Sequence, residues 1–404
     1  MMDPIQVVLV GIGGYGNVYM KELLAFEAEE AVRLAAVVDP RPEGSSYYEA
    51  LLNRSIPIYS DIESCFREVA ADLTVISTPI QLHAEMTCCA LAHGSHVLCE
   101  KPAAATLEEV DAMIEARDRY GKLVAIGYQW AYSPIFQALK SDIAAGAFGR
   151  PIRFKMAVLR PRGWSYYGRN QWAGRRIDER SGRWVLDSVA NNASAHHLHI
   201  LFFLLGQTWN SSAAPHFVEA ELYRANDIEN FDTSFIRAFA GETVEVLFYA
   251  THAVNREETR FRLEFEHAVV SYDDGDGRLR VACHDGTRKD YGPLDVPHSV
   301  KWESVLNAVR EGGDVSCGLE AARAQTLCIH GAHRSMPSIA SFPEQMTIID
   351  QQLQATWVEG LSEAISLCYE GNMLTHEAGF DWAAAGEKVD LRSPGLEASH
   401  ESIL

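Results

Sequence analysis

A short apolar run that breaks into three spaced glycines is the feature that most constrains this chain. Residues 5–16 read Ile-Gln-Val-Val-Leu-Val-Gly-Ile-Gly-Gly-Tyr-Gly. A strand, a glycine turn and a helix start, in this order, form the first β–α unit of a dinucleotide-binding domain. Gly11 permits the tight turn, Gly13 lets the backbone approach a pyrophosphate, and Gly16 lets the next helix pack close to the sheet. The segment therefore predicts a phosphate-binding turn, and a purely structural glycine turn is the alternative.

An acidic residue follows the next strand, where the ribose of such a dinucleotide would lie. Residues 34–38 form a second apolar strand that ends in Asp39. A carboxylate at this point hydrogen-bonds both ribose hydroxyls and repels a 2′-phosphate. The pattern therefore predicts NAD as the cofactor. Arg41 follows closely, which keeps NADP as the less favoured alternative.

Length, charge and cysteine pattern bound the class of protein. At 404 residues the chain is too long for one ordinary core, so two domains are expected. The formal net charge of −20 argues against nucleic acid or an anionic membrane as a partner, since both require a basic face. The 8 cysteines have no framework spacing, and no segment at the start resembles a signal peptide. These features predict a cytoplasmic protein with reduced thiols.

Hydrophobic patterning changes along the chain and suggests domain boundaries. Residues 1–126 alternate strand and helix, which predicts an α/β Rossmann domain with a doubly wound parallel sheet that binds NAD. Residues 127–345 contain consecutive strands joined by short turns, which predicts an α+β domain for substrate binding and oligomerisation. Its large sheet is expected to be mostly antiparallel and open on one face. Helices are expected at about 298–311, 318–333 and 351–370.

Residues 346–404 are predicted to form a C-terminal helical extension. Four apolar residues recur at helical spacing and would share one face, namely Trp357, Leu361, Ile365 and Cys368. This face is expected to pack on the parent domains or on a partner subunit, in a structural role. The last residues, 393–404, are expected to be frayed.

Two further segments carry a family resemblance. Residues 78–85 read Thr-Pro-Ile-Gln-Leu-His-Ala-Glu, and residues 90–102 read Ala-Leu-Ala-His-Gly-Ser-His-Val-Leu-Cys-Glu-Lys-Pro. Through them the chain resembles the glucose–fructose oxidoreductase, inositol dehydrogenase and MocA-like (Gfo/Idh/MocA) family. The resemblance covers the first domain and, more loosely, the chain to about residue 340. It implies an NAD-dependent oxidoreductase in which both segments flank the nicotinamide end of the cofactor.

The resemblance and the glycine turn together define a set of cofactor-binding residues. They are Gly11, Gly13, Gly14, Tyr15, Gly16, Asp39, Thr78, Pro79, His83, Glu100, Lys101 and Gln129. Gln129 takes the place of a family asparagine near the nicotinamide, whereas the arginine that the family has two residues later is missing. Ser95 replaces a usual lysine at a helix-to-strand turn, without expected consequence.

Lys101 is the first predicted catalytic residue. Oxidation of an alcohol requires loss of the hydroxyl proton, and a cation beside the forming alkoxide lowers that cost. Pro102 restrains the preceding backbone to an extended form, which helps to fix where Lys101 points. Glu100 is expected to position Lys101 or the nicotinamide ribose. The alternative is an ordinary surface lysine at a strand end.

The second catalytic group is expected at the start of an apolar helix that runs to Gly206. The family pattern is Asp-x-x-x-His with a second Asp three residues later, and counting back from Gly206 places Asn192, His196 and His199 on these positions. The spacing puts the three on one helix face. The resemblance implies that His196 accepts the substrate hydroxyl proton. Asn192 can hydrogen-bond a sugar hydroxyl, but it carries no charge to stabilise an imidazolium. Lys101 then carries more of the proton chemistry than is usual.

Two other readings of these regions remain open. Clustered imidazoles at positions 196, 197 and 199 resemble zinc ligands, but no carboxylate or cysteine lies close in sequence, so no metal is predicted. Residues 160–184 are rich in arginine and aromatic side chains. Such a segment suits a loop over a sugar or sugar acid, and an oligomer-contact or core loop is equally compatible.

The leading interpretation is an oxidoreductase that moves a hydride between NAD and a secondary hydroxyl of a sugar, cyclitol or polyol. The first alternative is a glycoside-cleaving or epimerising enzyme that retains its NAD. The second is a non-catalytic dinucleotide-binding sensor, which has no need of Lys101 and His196. Because the family usually buries the open sheet face against another subunit, a homodimer or homotetramer is expected.

Overall fold

The computed structural model describes residues 3–241 and 243–392. The predicted fraying of residues 393–404 lies outside this part of the chain. Contacts group the chain into two units. The first unit holds the described residues up to Ser133 together with Val296–Ala322, and the second holds Pro134–Asp295 with the described residues from Arg323 onward. The boundaries at residues 126 and 345 proposed from the sequence stay predictions.

The first unit is built from alternating strands and helices. Its strands before residue 133 are β1 Ile5–Val10, β2 Val32–Val38, β3 Ile58–Tyr59, β4 Leu73–Ile76, β5 His96–Cys99 and β6 Val124–Ile126. Its helices there are α1 Gly16–Ala28, α2 Tyr48–Asn53, α3 Ile62–Phe66, α4 His83–Ala92 and α5 Leu107–Tyr120. Asp61 caps α3 through the backbone N–H of Ser64, and Thr106 with Glu109 forms a capping box on α5.

The six strands form one parallel sheet in the order β3-β2-β1-β4-β5-β6. This is the doubly wound arrangement predicted from the sequence, and its order reverses between β1 and β4. Strands β1 and β4 are almost wholly buried, as expected of parallel strands with helices on both faces. The carboxyl ends of all six strands lie along one edge, where ligands of such sheets bind.

Later residues return to the first unit. Residues 134–392 contain helices α6 Pro134–Ala144, α7 Trp164–Tyr167, α8 Ala195–Phe203, α9 His298–Glu311, α10 Leu319–Ser335 and α11 Leu361–Gly371. Helix α9 belongs to the first unit and packs Trp302 against Tyr19 of α1, with ring centroids 5.7 Å apart. The backbone N–H of Ile126 donates to the carbonyl of Cys317, which ties the returning chain to the sheet.

The second unit is built around a large, mostly antiparallel sheet. Its strands are β7 Pro151–Leu159, β8 Pro215–Arg224, β9 Thr233–Ala240, β10 Val244–Thr251, β11 Glu258–Phe265, β12 Ala268–Asp273, β13 Arg278–Cys283, β14 Arg288–Pro293, β15 Ala340–Ser341, β16 Thr347–Asp350, β17 Ala355–Val358 and β18 Val389–Asp390. The order is β14-β13-β12-β11-β7-β10-β9-β8-β15, with β18 also pairing with β8. Strands β16 and β17 form a separate hairpin. The α+β architecture predicted for this part is confirmed.

Strands β7 to β10 are buried on both faces rather than on one. Phe154 and Met156 of β7 lie on one face, and Ala157 and Leu159 belong to a cluster on the other side of the sheet, which we call the outer face. On the outer face the cluster includes Leu361 and other residues of the C-terminal segment, residues 346–392. The chain itself therefore covers the sheet face that the sequence analysis expected to be open.

The helix expected at 351–370 is wrong in its first half. Residues 355–358 form β17, and only Leu361–Gly371 are helical. Trp357 lies in the strand and does not share a helix face with Ile365. The cause is local, because Gly360 has a φ of 75° and interrupts a helical path that spacing alone cannot distinguish from continuous helix. Within the described residues no helix is both long and apolar enough to cross a membrane.

Candidate functional site

The glycine turn in the structure has the shape that a pyrophosphate requires. Gly11 has a φ of 83°, and a Cβ there would lie 2.5 Å from the carbonyl oxygen of Ser77. A Cβ on Gly16 would lie 2.1 Å from the carbonyl oxygen of Gly11, so the start of α1 depends on this glycine. At Gly13 no atom lies within 4 Å of the place of a Cβ, which leaves the backbone open to a ligand. With the N-terminus of α1 beside it, this turn fits an anionic group.

Asp39 and Thr78 lie at the same sheet edge, after β2 and β4. The carboxylate of Asp39 accepts hydrogen bonds from the backbone N–H groups of Ile12 (3.0 Å) and Arg41 (2.9 Å). The aspartate thereby connects the glycine turn to the end of β2. The side-chain oxygen of Thr78 is buried and has no hydrogen-bond partner. Such an oxygen costs stability unless a ligand group pairs with it, so the edge fits a bound dinucleotide.

A buried ion pair lies directly after β5, in the motif segment that the sequence predicts to flank the nicotinamide. Glu100 follows β5, and its carboxylate accepts from the hydroxyl of Tyr19 at 2.6 Å and from Nζ of Lys301 at 3.0 Å. Lys301 comes from α9 and is 1% exposed. The other carboxylate oxygen accepts from the backbone N–H of Lys101 at 3.1 Å. A Cβ on Gly127 would lie 2.7 Å from Glu100, so a glycine is required after β6.

The electrostatics of this cluster keep Glu100 ionised. Burial alone would raise the pKa of Glu100, but the cations of Lys301 and Lys101 and the hydroxyl of Tyr19 hold the pKa below its ordinary value. Burial and the carboxylate of Glu100 raise the pKa of Tyr19 well above its ordinary value, so Tyr19 remains a donor. The sequence predicts that Glu100 positions Lys101 or the nicotinamide ribose. In the structure its carboxylate contacts the backbone of Lys101.

His83 connects the two motif segments. Its ring nitrogens lie 2.8 Å from the carbonyl oxygen of Pro102 and 2.9 Å from that of Thr78, and a neutral imidazole donates to one of them. Burial lowers the pKa of His83, which favours the neutral ring. Pro79 precedes the short helical turn that leads to this histidine. Gln129 donates its side-chain amide to the carbonyl of Val296, so the returning chain holds this amide.

Lys101 is half-buried, directly after β5. The carboxyl ends of β1, β2, β4, β5 and β6 bring the predicted cofactor residues of the first unit to one sheet edge. Tyr15, in the glycine turn, is 43% exposed and its hydroxyl lies 3.3 Å from Nδ1 of His298. Gly14 is exposed with a φ of 52°. The structure thus groups the residues predicted from separate motifs.

The predicted second catalytic group belongs to the second unit, and its helix differs from the expectation. Helix α8 begins at Ala195, so it carries His196 and His199, whereas Asn192 lies in a π-helical turn, Val189–Ala193. The single helix face proposed for all three residues is therefore wrong. Ser194, with φ −112° and ψ 18°, separates the two helical segments. A π-turn inserts an extra residue, which spacing rules based on 3.6 residues per turn cannot anticipate.

Asp187 is a residue that the sequence analysis missed. Its carboxylate accepts from Nδ2 of Asn192 at 2.7 Å and from the backbone N–H of Gly174 at 2.6 Å. The preceding residue, Leu186, has a φ of 49°, a strained value for a bulky side chain. Asp187 after the apolar residues 184–186 was the available clue, but the fixed count from Gly206 placed the family aspartate on Asn192. The carboxylate of Asp187 therefore lies next to the side-chain amide of Asn192, where the family pattern has an aspartate.

The neighbouring histidines are packed in the protein interior. His199 is 0% exposed and stacks on Phe203 with ring centroids 5.6 Å apart, while His197 is also buried. His196 is half-exposed, unlike these two. Within the described residues no group of three or more histidine, cysteine, aspartate or glutamate side chains could hold a metal ion.

The arginine-rich and aromatic segment is divided between two environments. Trp164 donates its indole N–H to Thr356 of β17 at 3.0 Å, so the start of the segment packs on the β16–β17 hairpin. Further on, Arg169 lies over the ring of Tyr166, 3.7 Å from the centroid, and 3.8 Å from the carboxylate of Asp187. Some residues of the segment line a polar cavity of about 640 Å³ together with residues 227–229, namely Tyr167, Asn170, Gln171, Ala173, Arg175, Asp178, Glu179 and Arg180.

These features define the class of protein to which the first unit belongs. A parallel sheet in this strand order, a glycine turn before α1 and an aspartate after β2 are those of a dinucleotide-binding domain. Residues 5–128 match the family model GFO_IDH_MocA, described as an oxidoreductase family with an NAD-binding Rossmann fold. Over this domain the chain is similar to the glucose–fructose oxidoreductase, inositol dehydrogenase and MocA-like oxidoreductases, and the cofactor of the domain is NAD.

Individual relatives match part of the chain. A protein of Comamonas testosteroni named 1-carboxy-3-chloro-3,4-dihydroxycyclo hexa-1,5-diene dehydrogenase is 32% identical over 145 residues, which is 36% of either chain. An inositol 2-dehydrogenase of Burkholderia cenocepacia is 26% identical over 209 residues, 52% of this chain and 56% of that protein. The chain therefore spans about a third to just over half the length of these curated relatives.

A solved structure with a similar fold covers more of the chain. The WlbA dehydrogenase of Bordetella pertussis, in complex with NADH and UDP-GlcNAcA, superposes with a TM-score of 0.68 at 20% identity. The match covers 82% of this chain and 96% of that one. At this identity the similarity shows that the fold is shared across both units.

Proposed function

We propose that this chain is an NAD-dependent oxidoreductase that transfers a hydride between nicotinamide and a secondary hydroxyl of a sugar, cyclitol or other polyol. The observation that carries the proposal is the placement of Lys101. This lysine follows a buried, ionised Glu100 at the carboxyl edge of an NAD-binding sheet. A cation at that edge stabilises a forming alkoxide, which a protein that only senses the cofactor does not need.

The first unit supplies the cofactor site. The backbone N–H groups around Gly13 and the N-terminus of α1 would hold the pyrophosphate, and Asp39 would accept hydrogen bonds from the ribose hydroxyls. When bound, NAD supplies nicotinamide C4 as the hydride acceptor. The buried oxygen of Thr78 would pair with a polar group of the bound cofactor.

His196 and Lys101 divide the proton chemistry of the substrate hydroxyl between them. His196 accepts the hydroxyl proton of the substrate, and the ammonium of Lys101 stabilises the negative charge on the oxygen as the hydride leaves. Asn192 donates to the carboxylate of Asp187, which makes its amide oxygen a stronger acceptor toward an imidazolium. In this way Asp187 provides the negative charge that an aspartate at position 192 would have contributed.

The charged residues that line the polar cavity of the second unit favour a substrate without a net charge. Its lining contains the carboxylates of Asp178, Glu179, Asp227 and Glu229 but only two arginines, Arg175 and Arg180. Arg175 already pairs with Glu179 at 3.2 Å. An excess of carboxylates favours hydroxyl donors over a sugar acid, which refines the expectation drawn from the arginine content of the sequence. The related inositol 2-dehydrogenase is named for a neutral polyol.

The test is a panel of neutral sugars, cyclitols and sugar acids assayed for NADH absorbance. We expect turnover with a neutral polyol, and a loss of about 10²–10⁴-fold in kcat for His196→Ala with NAD affinity nearly unchanged. Lys101→Ala should lower kcat by a comparable factor, because it removes the cation near the alkoxide. Asp187→Asn should shift the lower limb of the pH–rate profile, since it removes the charge that favours the imidazolium. His197→Gln, at a buried histidine on the same helix, is the matched control.

Each other outcome has a definite meaning. Product formation without net NADH indicates the alternative enzyme that retains its cofactor and regenerates it. Nearly full activity in His196→Ala together with none in Lys101→Ala assigns the proton to Lys101 alone. NAD binding without turnover of any compound in the panel contradicts the proposal and favours a sensor.

A further inference from the structure

The outer face of the second sheet is strongly apolar. Its enclosed side chains belong to four neighbouring strands and include Leu159, Tyr223, Phe235, Leu247 and Tyr249, each at most 1% exposed. Without a cover, this area would exceed what a soluble surface carries. Something must therefore occupy it, either another chain or a part of this one.

The C-terminal segment, residues 346–392, occupies this face. Helix α11 places Leu361, Ile365 and Cys368 into the same cluster, and each is at most 1% exposed. Phe380 and Trp382 pack at its margin, where the ring of Trp382 lies 5.3 Å from that of Tyr223. The contact has the burial of a protein core rather than that of a transient association.

Buried polar side chains of the sheet form hydrogen bonds with the C-terminal segment. Lys155 of β7 is 3% exposed and donates to the carbonyl of Tyr369 at 2.7 Å and to the side chain of Asn372 at 2.9 Å. Tyr249 donates to the carbonyl of Met373 at 3.1 Å. Lys155 thus pairs with a carbonyl in the last turn of α11, and Tyr249 holds the residue just beyond the helix.

A carboxylate and a guanidinium hold the next turn. Glu221 is 0% exposed and accepts from the backbone N–H groups of Thr375 (3.0 Å) and His376 (3.1 Å). Arg237 donates through two nitrogens to the carboxylate of Glu377, both at 2.7 Å. A buried charge is costly unless it is paired, so the two backbone N–H groups that Glu221 accepts from the C-terminal segment stabilise its buried carboxylate.

The same segment also covers the edge of the sheet. Strand β18 pairs antiparallel with β8, which removes exposed backbone groups that another chain could pair with. Just before it, a Cβ on Gly386 would lie 2.1 Å from the carbonyl oxygen of Ala220, so the segment passes directly against β8. The cover thus extends over both the face and the edge.

Beyond the cover the outer face is charged rather than apolar. Ion pairs cross from strand to strand, with Arg237 2.9 Å and Arg153 2.6 Å from the carboxylate of Glu245. Arg153 also lies 3.3 Å from Glu264, which lies 3.0 Å from Arg262. This part of the sheet therefore presents charged, paired side chains to a second copy.

We propose that the C-terminal segment is a built-in occupant of the outer face, so that two copies of this chain do not pair through strands β7 to β10. The homodimer or homotetramer expected from the sequence rested on an uncovered face. That basis is absent from the described residues, because the chain supplies the covering surface itself. If the cover is displaced, the exposed face binds a second copy.

The test uses the full chain and a matched pair of substitutions on α11. Ile365→Asp puts a carboxylate into the apolar contact, whereas Leu367→Asp does so at a residue of the same helix that is 51% exposed. In light scattering at rising concentration we expect Ile365→Asp to increase its mass about twofold or more, while Leu367→Asp keeps the native mass. Equal masses for both folded variants at all concentrations would overturn the proposal.

A second measurement covers the case in which Ile365→Asp does not fold. Hydrogen exchange of the native chain is followed in β7, β10 and residues 374–377 at low and high concentration. We expect the same protection at both, including when the chain associates through another surface. The proposal is overturned if β7 and β10 become more protected at high concentration while residues 374–377 exchange faster. Cross-links between copies on the outer face must accompany this change.

Discussion

Glu100 and Lys301 form a buried ion pair across 201 positions of sequence, with Nζ 3.0 Å from the carboxylate oxygen. The pair joins the residue before Lys101 to α9, and both side chains are at most 9% exposed. Tyr19 of α1 contacts both members, at 2.6 Å from Glu100 and 2.5 Å from Lys301. The backbone that carries the proposed catalytic lysine is therefore supported by the first and the returning parts of the chain.

Lys301→Met should be strongly destabilising. It leaves the carboxylate of Glu100 buried without its main cation, and breaking a buried pair costs about 3–5 kcal/mol. The double variant Lys301→Met/Glu100→Gln should recover a large part of that loss, because no unpaired charge remains. The free energy of unfolding in urea measures both. Lys289→Met, in the exposed pair with Asp142, is the control and should cost at most about 1 kcal/mol. Equal losses in the two single variants would contradict the role given to burial.

Stability should depend on pH through Glu100. Its pKa is lower in the folded chain than the unfolded value of about 4.3, so the folded state binds fewer protons. The contribution of Glu100 is complete above the unfolded value and is lost as the pH falls through the folded one. The difference in unfolding free energy between the native chain and Glu100→Gln should therefore shrink from pH 6 toward pH 3. A difference that stays constant over this range would show that Glu100 does not titrate as expected.

Cofactor preference should depend on Asp39. We expect NAD to bind at least about tenfold tighter than NADP, because the carboxylate repels a 2′-phosphate. Asp39→Asn keeps an acceptor for the N–H of Ile12, so the glycine turn should persist. The ratio of NAD affinity to NADP affinity should fall, because the repelling charge is gone. Calorimetric titration of both nucleotides measures the ratio. Asp61→Asn, at the cap of α3, is a control that should leave the ratio unchanged. Equal affinities in the native chain would assign a phosphate-binding role to Arg41.

Local sequence patterns were sufficient for the first unit. The glycine turn, the alternation of strands and helices, and Asp39 each depend on neighbours in sequence, and backbone sterics act over the same short range. The Thr106–Glu109 capping box and the carboxyl-edge placement of Lys101 follow for the same reason. By itself, the sequence therefore determined the parallel sheet, the cofactor class and a set of residues at one edge.

Only the tertiary structure decided which distant groups are partners. Lys301 looks like an ordinary helix lysine until the chain returns it to Glu100. Asp187 contacts Asn192 because Asn192 lies in a π-helical turn, and no count of residues predicts that turn. The outer face is covered because Gly360 ends the strand and redirects α11 onto the sheet. Burial and pairing of this kind arise from contacts between remote segments, whose free energies depend on the assembled core rather than on local sequence.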